Sequence, residues 1–397
     1  MTTDDIVARW GLRPVINASG TMTVIGASSA RPEVIEAVQA ILPRFVEIDA
    51  LQQVASRTIA RLCGAEAGFV TASTAAGITL AVAGAMTGLD RAAIARLPDA
   101  SGLKYEVAVM AGHLISYGAP VEQAVRLAGA EVVSVGQATS IAEYELEAAL
   151  NERTAAALYV VSHHAVQYGM LTLRRFSEIA HAHGVPVIVD AAAEYGLRRF
   201  IAEGADVALY SAHKFLRAPT AGIVAGRRDL VRAAYLQNGG IGRGMKVGKE
   251  GIAGTIVALE AWENTDHIAQ RAAEAQLLAA WQAALSGRPG IATAIIADPT
   301  GNPVDRLRVM VDPAAARATA WNLTSLLAAG TPSIAVRAEA LEHGWFELDP
   351  CNLSAAEARV VGERLVAALA QSLGGGVPMT SHAEWRAARE SEIWDIR

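Results

Sequence analysis

The chain of 397 residues is 52% hydrophobic and 19% charged, with a formal net charge of −6. This composition excludes a disordered chain, and an acidic balance with no long basic run argues against nucleic-acid and anionic-membrane partners. The two cysteines, Cys63 and Cys351, lie far apart with no metal-ligand spacing around them. They predict neither a disulfide framework nor a metal centre, and they fit a reducing, cytoplasmic setting.

The start, Met1-Thr2-Thr3-Asp4-Asp5, is acidic and has no apolar signal core behind it. Leu51, Val54, Ile59 and Leu62 recur at helical spacing, and Gly64 is a natural stop. Gly68–Thr71 reads as a strand, with Ser73 and Thr74 placed to cap a helix beginning near Ala75. That apolar stretch, Ala75 to Met86, is too short to span a bilayer. Further strands are expected at 106–110, 131–135, 156–162, 185–190, 205–210 and 221–225, with helices at 122–127 and 173–183. Apolar strands alternating with amphipathic helices predict an α/β fold with a mainly parallel seven-stranded sheet covered on both faces. In such sheets ligands sit at the carboxyl ends of the strands.

Beyond residue 260 the texture changes. A long helical stretch is expected from Ile252 to Leu285, followed by strands at 292–297, 306–311, 333–338 and 345–348. Helical stretches are expected at about 314–328, 355–373 and 383–394. This predicts a smaller α+β C-terminal domain. The expected division is a large domain over 49–260, a small one over 261–397, and an N-terminal segment, 1–48, packing on the small domain or on a partner subunit.

Two residues carry the chemistry. Asp190 ends the apolar run Val185-Pro186-Val187-Ile188-Val189, and Lys214 lies in Ser211-Ala212-His213-Lys214 after another. A lysine amine forms an imine with an aldehyde, and a carboxylate holds a proton on a pyridine nitrogen; pyridoxal phosphate needs both. The structural alternatives are a solvated lysine and a turn-capping aspartate. The turn Thr71-Ala72-Ser73-Thr74-Ala75-Ala76-Gly77 offers hydroxyls and helix-start N–H groups to a phosphate, or is a plain helix cap. Ser211 and His213 add a hydroxyl and an imidazole for the same phosphate. His113, after Gly112, either stacks on the cofactor ring or is a loop histidine. Of His163 and His164 only one can face a pocket, because neighbouring side chains on a strand diverge. Arg243, Lys246 and Lys249 sit in a glycine-rich basic loop that suits an anionic substrate, a neighbouring subunit's cofactor phosphate or solvent. Arg337 suits a carboxylate, or the surface. His181 and His183 suit a helix C-terminus.

With these residues in view, the chain resembles the selenocysteine-synthase-like group of fold-type-I pyridoxal-phosphate enzymes, and within it the D-glucosaminate-6-phosphate ammonia-lyase family. The likeness lies in Ile16-Asn17-Ala18-Ser19-Gly20-Thr21-Met22-Thr23, the Thr71–Gly77 turn, Gly184–Glu194 and Gly242-Arg243-Gly244-Met245-Lys246-Val247-Gly248-Lys249-Glu250. The resemblance implies that Lys214 holds the cofactor and moves protons at the substrate Cα, and that Asp190 pairs with the ring nitrogen. It also implies that Ser73, Thr74, Ser211 and His213 bind the phosphate and that His113 stacks on the ring. Arg337, Asn17, Thr21, His164 and Arg243 are then expected at the substrate, in a homodimer or larger homo-oligomer. The family carries Ser-Gly-Gly-Lys where this chain has Ser211-Ala212-His213-Lys214, and the segment after Glu194 is short; both bear on the substrate.

The expected reaction is α,β-elimination from a β-hydroxy amino acid or 2-amino sugar acid, giving a 2-oxo acid and ammonia. Racemisation and aldol cleavage start from the same Cα chemistry and are the alternatives. A selenium transfer on tRNA needs an RNA-binding surface that the acidic balance does not favour.

Overall fold

A computed structural model describes residues 6–166 and 168–392. Among these, twelve strands run in chain order: β1 (Val15–Ala18), β2 (Ala67–Thr71), β3 (Glu106–Met110), β4 (Glu131–Val135), β5 (Thr154–Val160), β6 (Val187–Asp190), β7 (Val207–Ser211), β8 (Gly222–Gly226), β9 (Ile291–Ile296), β10 (Arg306–Val311), β11 (Ser333–Val336) and β12 (Trp345–Leu348). The chain divides into two compact units. One holds residues 28–265; the other joins residues up to Ala27 with those from Asp266 onward.

The first unit is built on a seven-stranded sheet in the order β2-β8-β7-β6-β5-β3-β4. From β7 to β4 the pairs are parallel, and β8 runs antiparallel between β2 and β7. Strands β2, β3, β6, β7 and β8 are buried along their whole length. Their unbroken apolar runs follow from helices covering both faces. The helix Thr74–Thr87 is apolar almost all round and correspondingly buried. Because β8 is reversed, its first residue, Gly222, lies at the same edge as the carboxyl ends of the other six strands.

The second unit contains the antiparallel sheet β12-β10-β9 and the parallel pair β1-β11, where Asn17 lies opposite Ala335. Its core gathers Trp281, Leu323, Phe346 and Val361. Trp281 donates its indole N–H to the carbonyl of Ala358 at 2.7 Å, joining the helices His267–Leu285 and Ala355–Leu373.

The helical stretch expected over 252–285 is two helices, Lys249–Glu263 and His267–Leu285. The break is chemical: Asp266 accepts the N–H of Ala269 at 2.9 Å and starts a new helix. The stretch at 314–328 divides likewise, at Arg317 with φ +53°. There Thr319 and Asn322 form a capping box for the helix Ala320–Ala329. The helix Pro32–Ile41 is not among the elements expected above, although Val34, Val38 and Ile41 recur at helical spacing; of its residues only Val34 is fully buried. The last helix is described over His382–Glu392, so the end of the stretch expected over 383–394 lies outside the described residues.

Candidate cofactor site

The carboxyl edge of the large sheet collects the chemistry. Ladder pairing sets Thr71 and Ser211 each opposite Gly222, Asp190 opposite Leu209, and Val160 opposite Asp190. The turn after β2, the lysine loop after β7, the carboxylate of β6 and the segments after β5 and β3 therefore open at one edge of the sheet.

Ser73 caps the helix Thr74–Thr87, its Oγ accepting the N–H of Ala76 at 3.1 Å. The cap alternative is thus present, and it also aims the helix start. Beside it, Thr74 is buried, with an Oγ1 that has no partner among the described residues. Thr71 Oγ1, at the end of β2, is in the same condition. Gly222 explains how close the strand comes: a Cβ there would stand 2.3 Å from the carbonyl oxygen of Ser73 and 2.7 Å from the N of Thr74.

In the lysine loop, Ser211 Oγ and His213 Nδ1 are 3.0 Å apart, and Ser28 donates to the carbonyl of His213 at 2.6 Å. His213 is buried, and its Nε2 has no partner among the described residues. Burial, then the neighbouring Lys214, push the imidazole pKa down. Lys214 itself is only partly buried.

Asp190 is 5% exposed and accepts the N–H of Ala192 at 3.2 Å. Burial raises its carboxyl to about 6, and Lys214 opposes that rise. The two groups therefore feel each other within one site. His113 is buried in the turn after β3; its Nδ1 accepts the N–H of Val160 at 3.2 Å, and its ring meets Tyr159 edge-on at 4.5 Å. His163 is partly buried and His164 exposed, their rings 3.9 Å apart. Arg243 is exposed in the turn Ile241–Met245.

Asn17, Thr21 and Arg337 belong to the second unit. Asn17 spends its amide on the local turn: Nδ2 donates to Gly20 at 2.8 Å, and Oδ1 accepts from the N–H and hydroxyl of Ser19. Thr21 is partly buried beside that turn. Arg337 is 7% exposed, yet its contacts are long: 3.5 Å to the carbonyl of Ser19, 3.6 Å to Glu339 and 3.8 Å to Glu347.

Residue types alone did not single out Gly222, Ser28 or Tyr117, and marked Thr71 only as part of the Thr71–Gly77 turn. Tyr117 sits in the loop after His113 with 41% of its surface exposed; desolvation of its hydroxyl, then Asp190, push the phenol upward. Strand ends and a glycine at a strand start were the available signals, but they become specific only once the strand order is known.

The edge fits pyridoxal phosphate. Thr71 Oγ1, Thr74 Oγ1 and His213 Nε2 are buried without partners among the described residues, on segments that meet at the sheet edge where the helix Thr74–Thr87 starts, and such groups suit an anion. A carboxylate and an amine complete the set.

Comparison with known proteins agrees. Residues 15–301 match the family described as SelA, L-seryl-tRNA selenium transferase. The chain belongs to this family. It is 41% identical to D-glucosaminate-6-phosphate ammonia lyase of Salmonella typhimurium (strain 14028s / SGSC 2262), over 91% of this chain and 97% of that one. It is also 38% identical to 5'-C-glycyluridine monooxygenase-decarboxylase of a Streptomyces species, over 87% of each. A solved structure of D-glucosaminate-6-phosphate ammonia-lyase superposes with a TM-score of 0.84 at 40% identity, covering 94% of this chain and 100% of that one. The architecture is that of the fold-type-I pyridoxal-phosphate enzymes. The chain is therefore an enzyme of this SelA-like family, and its cofactor is pyridoxal 5'-phosphate. Among the described residues no helix is long and apolar enough to cross a membrane.

Proposed function

We propose that this enzyme is a lyase that eliminates the β-hydroxyl of a 2-amino sugar acid or β-hydroxy amino acid as water, after which water hydrolyses the resulting enamine to a 2-oxo acid and ammonia. The carrying observation is the edge that gathers Asp190, Lys214 and the partnerless donors, in a chain 41% identical to an ammonia lyase over nearly all its length.

Pyridoxal phosphate, when bound, supplies an electron sink for the charge left at the substrate Cα. Thr71, Thr74 and His213 would donate to its phosphate, with Ser73 and Ser211 holding the helix start and the imidazole in place. Asp190, once paired with a cationic ring nitrogen, no longer bears the cost of a lone buried charge. The Lys214 amine holds the cofactor and then takes the proton from the substrate Cα. In the second unit Arg337 is the proposed carboxylate ligand: a buried guanidinium with only long contacts has donors to spare. Asn17, Thr21, His164 and Arg243 remain proposed substrate residues, with Arg243, Lys246 and Lys249 suited to a phosphorylated substrate.

The name of the Salmonella relative points to D-glucosaminate 6-phosphate as the first substrate to try. The Streptomyces relative, almost as similar, is named for a different reaction. Similarity over the whole chain therefore does not select the outcome of the Cα chemistry. The test is to incubate purified holoenzyme in deuterated water with D-glucosaminate, its 6-phosphate and serine. Oxo acid and ammonia in equal amounts support the proposal. Deuterium at Cα without oxo acid means racemisation, aldehyde release means aldol cleavage, and oxygen uptake with carbon dioxide means oxidative decarboxylation. The reading also includes a cytoplasmic homo-oligomer, supported by two unpaired cysteines and by family habit, and testable by light scattering.

A further inference from the structure

His113, which the proposed reading places at the cofactor, accepts a hydrogen bond from the backbone. Along β5 and just past it the N–H groups alternate between neighbours: those of Ala157 and Val161 donate to the β6 side, to the carbonyls of Pro186 and Asp190. The N–H of Val160 points the other way, toward β3. There β3 stops at Met110 and the chain turns away through Ala111–His113. The imidazole takes the place of the missing backbone carbonyl, and Nδ1 accepts the Val160 N–H at 3.2 Å.

A backbone N–H is always a donor, so Nδ1 must present its lone pair. A neutral ring bonded in this way carries its proton on Nε2. Protonating Nδ1 would break the bond and leave the Val160 N–H buried without a partner, an unfavourable state. We propose that Val160 locks His113 as a neutral Nε2–H ring, a hydrogen-bond donor in the cofactor site that never accepts the Cα proton. Its surroundings agree. Burial alone pushes the imidazole down to about 4. Tyr159, the titratable group in ring contact, is itself raised to about 12, by burial first and then by Glu203 against Arg199. The inference rests on the cofactor-site reading above, and it leaves Lys214 to carry the proton.

The test does not depend on turnover. Holoenzyme labelled with 15N in its histidines is followed by long-range 1H–15N spectra between about pH 5 and 9, with His113→Gln used to assign the signal. The expected result is one pyrrole-type and one pyridine-type nitrogen, with the proton on Nε2 and no titration across the range. A proton on Nδ1, or both nitrogens titrating together at roughly pH 6–8, overturns the proposal. In parallel, His113→Phe should lower turnover without removing any limb of the pH–rate profile; loss of a limb also overturns it. A locked ring in a protein that yields no oxo acid would sink the lyase reading and leave this inference standing.

Discussion

The carbonyl oxygen of Ser73 lies where a Cβ on Gly222 would come within 2.3 Å of it. The β8 strand therefore runs flush against the start of the helix Thr74–Thr87, with no room for a side chain. Backbone on both sides leaves nothing flexible to yield. For Gly222→Ala we expect the helix start to be pushed off the sheet edge and pyridoxal phosphate to bind at least about tenfold more weakly, a loss of about 1.4 kcal/mol. Titration of the cofactor-free protein, followed by absorbance, checks this; unchanged affinity would mean that the turn does not hold the phosphate.

Thr74 separates a binding role from a structural one. Its buried hydroxyl has no partner among the described residues, so in the cofactor-free protein it is a cost. Thr74→Val keeps the shape and removes the cost. The cofactor-free variant should melt at the same temperature as the parent or higher, while its affinity for pyridoxal phosphate falls. Equal losses in both measurements would make Thr74 an ordinary packing residue.

Asp190 ties stability to pH. Its carboxyl is raised by burial to about 6, above the ordinary value of 3.8, so the folded protein favours the neutral form. That contribution is complete below about pH 4 and is lost as pH rises through about 6, a span worth roughly 3 kcal/mol at most. Cofactor-free Asp190→Asn should therefore match the parent near pH 4 and outlast it at about pH 8, while the holoenzyme loses activity. Chemical denaturation at the two pH values measures the difference. A variant less stable at both would show that the charge is already compensated.

Lys214 is only partly buried at the start of an irregular loop, so shortening it removes chemistry more than packing. Lys214→Ala should fold, bind pyridoxal phosphate reversibly and lack the absorption band of the lysine-linked cofactor. Its turnover should fall by about 10² or more, because amine and proton carrier vanish together. Persistence of the band would point to another amine.

Much of the large sheet was legible because its signals are local. Buried strands read as unbroken apolar runs, and the first polar residue after each run marks its end, which is how Asp190 and the Ser211–Lys214 segment stand out. The break at Asn264-Thr265-Asp266 was less visible, because apolar residues recur on both sides of it and a side-chain cap decides the matter. The helix Pro32–Ile41 does carry a short period, Val34, Val38 and Ile41, but it is only 10 residues long and fully buries one of them, so the signal is weak.

Sequence by itself located most strands to within about two residues and singled out Lys214 and Asp190 as candidates, since polarity and periodicity are properties of neighbours in the chain. Only the tertiary structure decided what those ends meet. Strand β8 enters in reverse between β2 and β7, so Gly222 lies against Ser73 although the two are far apart in the chain. Likewise, β3 ends before β5 does, and the leftover N–H of Val160 takes the ring of His113. Both contacts arise because a buried backbone must pair its polar groups and fill its space, and which groups are left over is known only once the strands have their order.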